Sequence, residues 1–234
     1  MRPVLTSSPQ ADVFAFEEAA VQVTVSKRKA GDLAPRSPGS RGRRQRLIGG
    51  RDWAFTRQVH GALVRQQAGE ELSGDSLVAR VGELSPAMFA ADCGLLGIVS
   101  PEGVVAAVHA GWRGLLAGVL EETAEQMRRE GASELVAVRG PVIGPECYEF
   151  GEEELDRLVA AYGPSLAARA ASGRPALDLR AGLQVACGRA GIRLVATVES
   201  CTSCGRGRDG EPLYFSYRAR QEEARHGLVV SPLR

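Results

Sequence analysis

Two apolar runs, Leu95–Ser100 and Val104–His109, flank the breaker triplet Pro101-Glu102-Gly103. Runs of this length bounded by turn residues form strands, and the pair reads as a β-hairpin. The second run does not end in a loop of solvated polar residues. It ends in His109-Ala110-Gly111-Trp112-Arg113-Gly114, and a helical pattern follows over about Leu115 to Glu130, closing at Gly131. A chain built around this unit must carry both sheet and helix. With 234 residues, 44% of them hydrophobic, it has the material for one large domain over 1–234.

The remaining elements are mixed in order. Residues 11–25 alternate loosely and finish in the strand signal Val21 to Val25. Trp53 to His60 reads as a strand, as does Glu134 to Arg139. Helices are expected over Glu152 to Tyr162 and from behind Asp178, a good N-cap, to about Gly191. Ile192 to Val198 closes with a buried-type strand. Strict βαβ alternation is absent, so the expected class is α+β with mixed sheets. Residues 26–46 stand apart, with eight Lys or Arg, one acid, two prolines and three glycines. They read as a basic, flexible surface loop. A nucleic-acid contact is the sharper reading of that charge, but no aromatic residue interleaves it for stacking.

A formal net charge of +1 excludes global electrostatic steering. The first residues lack an apolar leader, and no run reaches the roughly 18 apolar residues of a membrane span. A cytosolic protein is expected. Five cysteines in such a chain point to metal binding or catalysis before a disulfide framework.

Three histidines occur, His60, His109 and His226. The first two end predicted strands and stand beside glycine-containing turns, which allow the sharp bend that exposes a side chain at a sheet edge. Each alone is more often a structural histidine. Cys93 lies in Asp92-Cys93-Gly94 just before the hairpin. It is either a buried thiol or a ligand, and Asp92 is placed to hold such a ligand from behind. Arg113 leads a Gly-flanked turn into a helix, where it either binds an anion or lies on the surface over a core Trp112. The breaker-rich loop Gly140 to Glu149 presents Cys147 as ligand, nucleophile or buried thiol. Cys201-Thr202-Ser203-Cys204 has zinc-knuckle spacing. It lacks a second pair nearby in sequence, which favours a structural or redox pair.

Taken together, Gln58-Val59-His60-Gly61, Ala91-Asp92-Cys93, Val108-His109-Ala110-Gly111-Trp112-Arg113-Gly114, the loop Gly140 to Glu149, and Cys201 to Cys204 with Tyr214-Phe215-Ser216-Tyr217-Arg218 resemble the motifs of the YfiH-type laccase-domain family. They occur in the same order over residues 58–218. The resemblance implies a sandwich of mixed β-sheets flanked by helices. It also implies a zinc site from His60, Cys93 and His109, with copper as the alternative metal. Arg113, Cys147 and Asp92 are the catalytic candidates. The implied activity is phosphorolysis of adenosine to adenine and ribose 1-phosphate, with adenosine deamination beside it. Alternatives within the resemblance are a copper-dependent polyphenol oxidase, a peptidoglycan-precursor editing hydrolase and a catalytically degenerate metal-binding protein. The chain departs from the family pattern at residues 26–48, where the usual Gly-rich and Ser-Leu-Asn-Leu elements are missing, at Leu95, and at Glu146, which stands for a frequent cysteine.

Overall fold

The computed structural model describes residues 1–233. The hairpin forms as Gly94–Val99 against Val104–Ala110, antiparallel, with Val105 opposite Val99 and His109 opposite Leu95. It is the centre of a six-stranded sheet in the order Ile192–Thr197, Leu135–Arg139, Gly94–Val99, Val104–Ala110, Ser76–Arg80, Val64–Arg65. The two outermost pairings of this sheet are parallel and the inner ones antiparallel. A second sheet, wholly antiparallel, runs Val4–Ser7, Ala11–Phe16, Val21–Ser26, His226–Pro232, Ala87–Ala90.

Strand alternation explains how the layers stack. Leu95, Val99, Val105 and Ala107 point into a core shared with Val23, Val25, Met88, Leu228 and Val230 of the second sheet. Leu96, Ile98, Val104, Ala106 and Val108 point the other way, onto Leu115, Leu120, Met127, Leu158 and Leu183 of the helices. Burial on both faces is why the runs are apolar without a break. Each fully buried Val, Leu or Ile contributes about 1.5–3 kcal/mol. Gly97 sits where the sheets approach most closely: a Cβ there would lie 2.7 Å from Val23 Cγ1. This is the expected α+β sandwich of mixed sheets flanked by helices.

Local agreement is close where periodicity was strong. Helices span Glu152–Tyr162 and Leu179–Arg189, and Asp178 caps the latter by accepting from the Ala181 N–H at 3.0 Å. Three elements differ from expectation. The helix after the hairpin is broken in two, Trp112–Leu116 and Val119–Arg129, by Gly118 at φ 82°, a left-handed conformation that glycine adopts without steric cost. Trp53 to His60 holds only a two-residue strand, Thr56–Arg57. Here side chains replace ladder bonds: Gln58 both donates to the Phe89 carbonyl and accepts from its N–H.

The third difference is residues 26–46. They carry a helix, Ser40–Leu47, in place of the expected loop. Several of the basic residues bond within the chain. Arg44 is buried at 6% exposure, donates to the Leu33 carbonyl and to Ser40 Oγ, and stacks over Phe55 and Phe89. Arg43 donates to the carbonyls of Asp32 and Pro38. Among the described residues, no helix is long and apolar enough to cross a membrane.

Candidate metal centre

Three chain segments converge at one end of the hairpin. Val104–Ala110 delivers His109, 2% exposed, at its last turn. The bend before Gly94–Val99 delivers Cys93, half-buried. The irregular loop after Thr56–Arg57 delivers His60, which is exposed and adopts φ 60°. The donor atoms of His60, Cys93 and His109 all lie within 4.8 Å of one another. The two imidazoles meet edge to face with centroids 4.8 Å apart. Gly111 is required by this approach, because a Cβ there would sit 3.0 Å from Cys93 Sγ and 3.2 Å from His60 Cδ2.

The residue that organises the site is Asp75, which sequence reasoning missed. It is 0% exposed. Its carboxylate accepts from the N–H groups of Val59, His60 and Gly61 at 2.8–3.2 Å and lies 2.9 Å from His109 Nδ1. Its carbonyl accepts the His109 N–H at 2.7 Å. One buried carboxylate thus sets both the turn carrying His60 and the ring orientation of His109, leaving His109 Nε2 to face the thiol. Burial alone would raise its pKa, but the bonds from His109, Gly61 and Val59 outweigh that and hold it below the ordinary carboxylate value. The only sequence signal is an acid directly ahead of a strand, Gly74-Asp75-Ser76. Its partners are 14 to 34 residues away.

The electrostatics suit a thiolate ligand. Burial opposes ionisation of Cys93, but the charge and hydrogen bonds of His109 and His60 win and bring it down to about 6. For His109, burial lowers the pKa, while Cys93 and Asp75 raise it further, to about 9. A metal ion held here would replace the imidazolium proton as counter-charge to the thiolate. Two nitrogens and one sulfur of this kind fit zinc, and the carboxylate behind His109 is the usual support for such a ligand.

The catalytic candidates fall in different places. The Asp92 carboxylate does not touch an imidazole. Held at φ 106°, it accepts from Thr202 Oγ1 at 2.6 Å and from the Arg218 N–H at 2.7 Å, and so ties the Cys93 turn to the C-terminal segments. Arg113 is exposed, with its guanidinium 4.3 Å above the Trp112 ring. The helix behind it has five residues, so its dipole is a weak anion attractant. Cys147 is not with the triad. It joins Glu146, Cys201 and Cys204 in a separate group of close ligand atoms. The Cys201–Cys204 pair therefore has companions in space, although it has none nearby in sequence.

Beside the triad stands a wall that sequence reading reached only in part. Trp112 packs edge-on to Phe150 at 5.5 Å, Phe150 meets Tyr148 at 5.3 Å, and Arg218 covers Tyr148 at 5.0 Å. Burial, then the Cys93 charge, push the Tyr148 phenol well above its ordinary value, while Arg218 and Arg113 act oppositely. Tyr148 thus lies within the fields of Cys93 and of both arginines.

A mixed-sheet sandwich with a His-Cys-His cluster at the end of its central hairpin is, by fold and site, a candidate metalloprotein of the α+β class. The chain belongs to the family described as multi-copper polyphenol oxidoreductase laccase, whose sequence model matches residues 31–232. A purine nucleoside phosphorylase of Pseudomonas aeruginosa is 32% identical over 178 residues, covering 74% of this chain and 71% of that protein. An adenosine deaminase of an unknown prokaryotic organism is 33% identical over 138 residues, covering 56% of this chain and 53% of its own length. The solved structure of a hypothetical YfiH protein from Bacillus licheniformis superposes with a TM-score of 0.81 at 21% identity, covering 98% of this chain and 99% of that one. The YfiH-type resemblance and the fold expected from it are borne out.

Proposed function

We propose that the protein is a zinc-dependent, cytosolic purine nucleoside phosphorylase that converts adenosine and phosphate to adenine and ribose 1-phosphate, with adenosine deamination as a side activity. The observation that carries this reading is the convergence of His60, Cys93 and His109, fixed by Asp75, beside an aromatic and cationic wall. The names of the relatives agree with it.

In this reading the wall of Trp112, Tyr148 and Phe150 takes the purine ring, since stacking on such faces suits every base. Arg113 and Arg218 take the phosphate, because guanidinium groups fit its oxygens in a two-pronged arrangement. Phosphorolysis forms a bond from a phosphate oxygen to the ribose C1′ as the C1′–N9 bond breaks. N9 keeps the electron pair and takes up a proton. The two arginines orient the attacking phosphate, and the aromatic wall holds the departing base in line. Asp75 keeps His109 in one orientation throughout, and Asp92 keeps the Cys93 turn against the Arg218 segment. Zinc held by His60, Cys93 and His109 would supply a Lewis acid that polarises the substrates of phosphorolysis, and would lower the pKa of a bound water to about 7 for deamination, where water displaces ammonia.

Zinc is favoured over copper by the donor count. Among the described residues the triad offers two imidazoles and one thiolate, and His226 is buried elsewhere against Tyr214. A multicopper oxidase needs several more imidazoles. The test is to incubate zinc-loaded protein with adenosine, with and without phosphate, and to quantify adenine and inosine while measuring zinc and copper content. Phosphate-dependent adenine release supports the reading. Inosine alone would assign the protein to the deaminases, and phenol oxidation with bound copper would assign it to the oxidases.

A further inference from the structure

We propose a second zinc site, structural in character, formed by Cys147, Cys201, Cys204 and Glu146. It rests on neither the triad nor the proposed activity. The four ligand atoms lie within 4.8 Å of one another, although they come from two loops more than fifty residues apart. Zinc holds thiolates at about 2.3 Å, which places tetrahedral ligand atoms roughly 3.8 Å apart, so closing the cluster on a metal needs shifts of about 1 Å or less. Four protein ligands of this kind leave no open position, which is the pattern of a structural site.

The local backbone is shaped for this. Val142 and Cys201 form a parallel bridge, and the Gly144 N–H donates to Cys201 Sγ at 3.2 Å. Cys204 Sγ lies 3.5 Å from Glu146 Oε1. Arg180 lies 3.8 Å from Glu146. Zinc binds cysteine as thiolate, so a dication taken up here would displace the thiol protons and balance three thiolates and a carboxylate. A disulfide would use two of the three thiols and leave one thiol and the carboxylate without a role.

The placement gives the site a purpose. It would fasten the loop bearing Tyr148 to the segment whose Thr202 holds Asp92, next to Cys93. The clamp therefore fixes the aromatic wall relative to the first centre.

The experiment is zinc stoichiometry by native mass spectrometry on reduced, zinc-reconstituted full-length chains, with cobalt substitution as a second readout. Wild type should hold two zinc ions and Cys93→Ala one. Cobalt in the Cys93→Ala chain should show intense thiolate-to-cobalt charge transfer, because the remaining ligands include three sulfurs. Glu146→Gln should weaken that remaining site tenfold or more, and Glu146→Cys should restore or tighten it. Cys201→Ser with Cys204→Ser should reduce wild type to one zinc; if that chain does not fold, the Glu146 series decides. A Cys93→Ala chain without zinc, or unaffected by Glu146→Gln, overturns the proposal. So does a reduced wild-type chain that takes up only one zinc.

Discussion

Asp75→Asn is the most informative single change, because one carboxylate serves both histidines. In the wild type its two oxygens accept from Val59, His60 and Gly61 N–H and from His109 Nδ1. An asparagine has one oxygen and one NH2. Whichever way the amide faces, its NH2 meets at least one N–H donor. An unsatisfied buried donor costs about 1–3 kcal/mol, and the charge-assisted bonds that remain fall from about 1.5–3 to about 0.5–1.5 kcal/mol each. The folded chain should lose about 3 kcal/mol, and more if the amide settles against His109. Independently, removing the carboxylate behind a metal-bound imidazole lowers metal affinity about 10–100-fold, or roughly 1.4–2.8 kcal/mol. The assay is a chelator-competition titration of zinc at pH 7.5, run beside urea unfolding of the metal-free chain. Zinc affinity within threefold of wild type, or unchanged metal-free stability, would refute the assignment of Asp75 as the organiser of the site.

Gly111→Ala should leave secondary structure intact, since Gly111 has an ordinary φ of −76°, but its Cβ would crowd Cys93 Sγ at 3.0 Å. Overpacking of about 1–3 kcal/mol should weaken zinc about tenfold, as read by the same titration. Arg113→Ala should keep zinc and fold while weakening phosphate about 10–100-fold, with deamination spared; equal losses in both activities across a phosphate titration would make Arg113 structural. His226 is fully buried, and burial, then the Arg225 charge, push it down to about 3. Because the unfolded chain protonates this ring below about pH 6.5 and the native one does not, stability falls as pH drops from about 6.5 toward 3. Between pH 7 and pH 5 this ring accounts for about 2 kcal/mol, so His226→Phe should lose about that much less than wild type in paired urea melts. Parallel losses would show that the ring titrates normally in the native state.

The hairpin was legible because two continuous apolar runs bracket breakers, and the structure buries both faces. The cap at Asp178 was legible because capping is local. His60, Cys93 and His109 were legible through short motifs, and the structure brings the three together. What escaped notice depends on pairing across the chain. Asp75 acts on residues far along the sequence, and no local pattern marks a carboxylate that replaces a strand partner. Arg44 belongs to a segment that looks like solvated charge until Phe55 and Phe89 are packed over it. The companions of Cys201 and Cys204 lie more than fifty residues earlier, so spacing rules that require a second pair nearby overlook them. Asp92 is the opposite case. It stands beside a ligand in sequence, yet its carboxylate works on Thr202 and Arg218.

Phosphorolysis by this chain is proposed to depend on the His60, Cys93 and His109 centre. It is tested most directly by adenine release from adenosine as a function of phosphate, measured for zinc-loaded wild type and Cys93→Ala at equal folded concentration. The account predicts saturable, phosphate-dependent release by wild type and loss of at least a hundredfold in the variant, with the fold retained by circular dichroism. Phosphate-independent release, or an active Cys93→Ala chain, would contradict it.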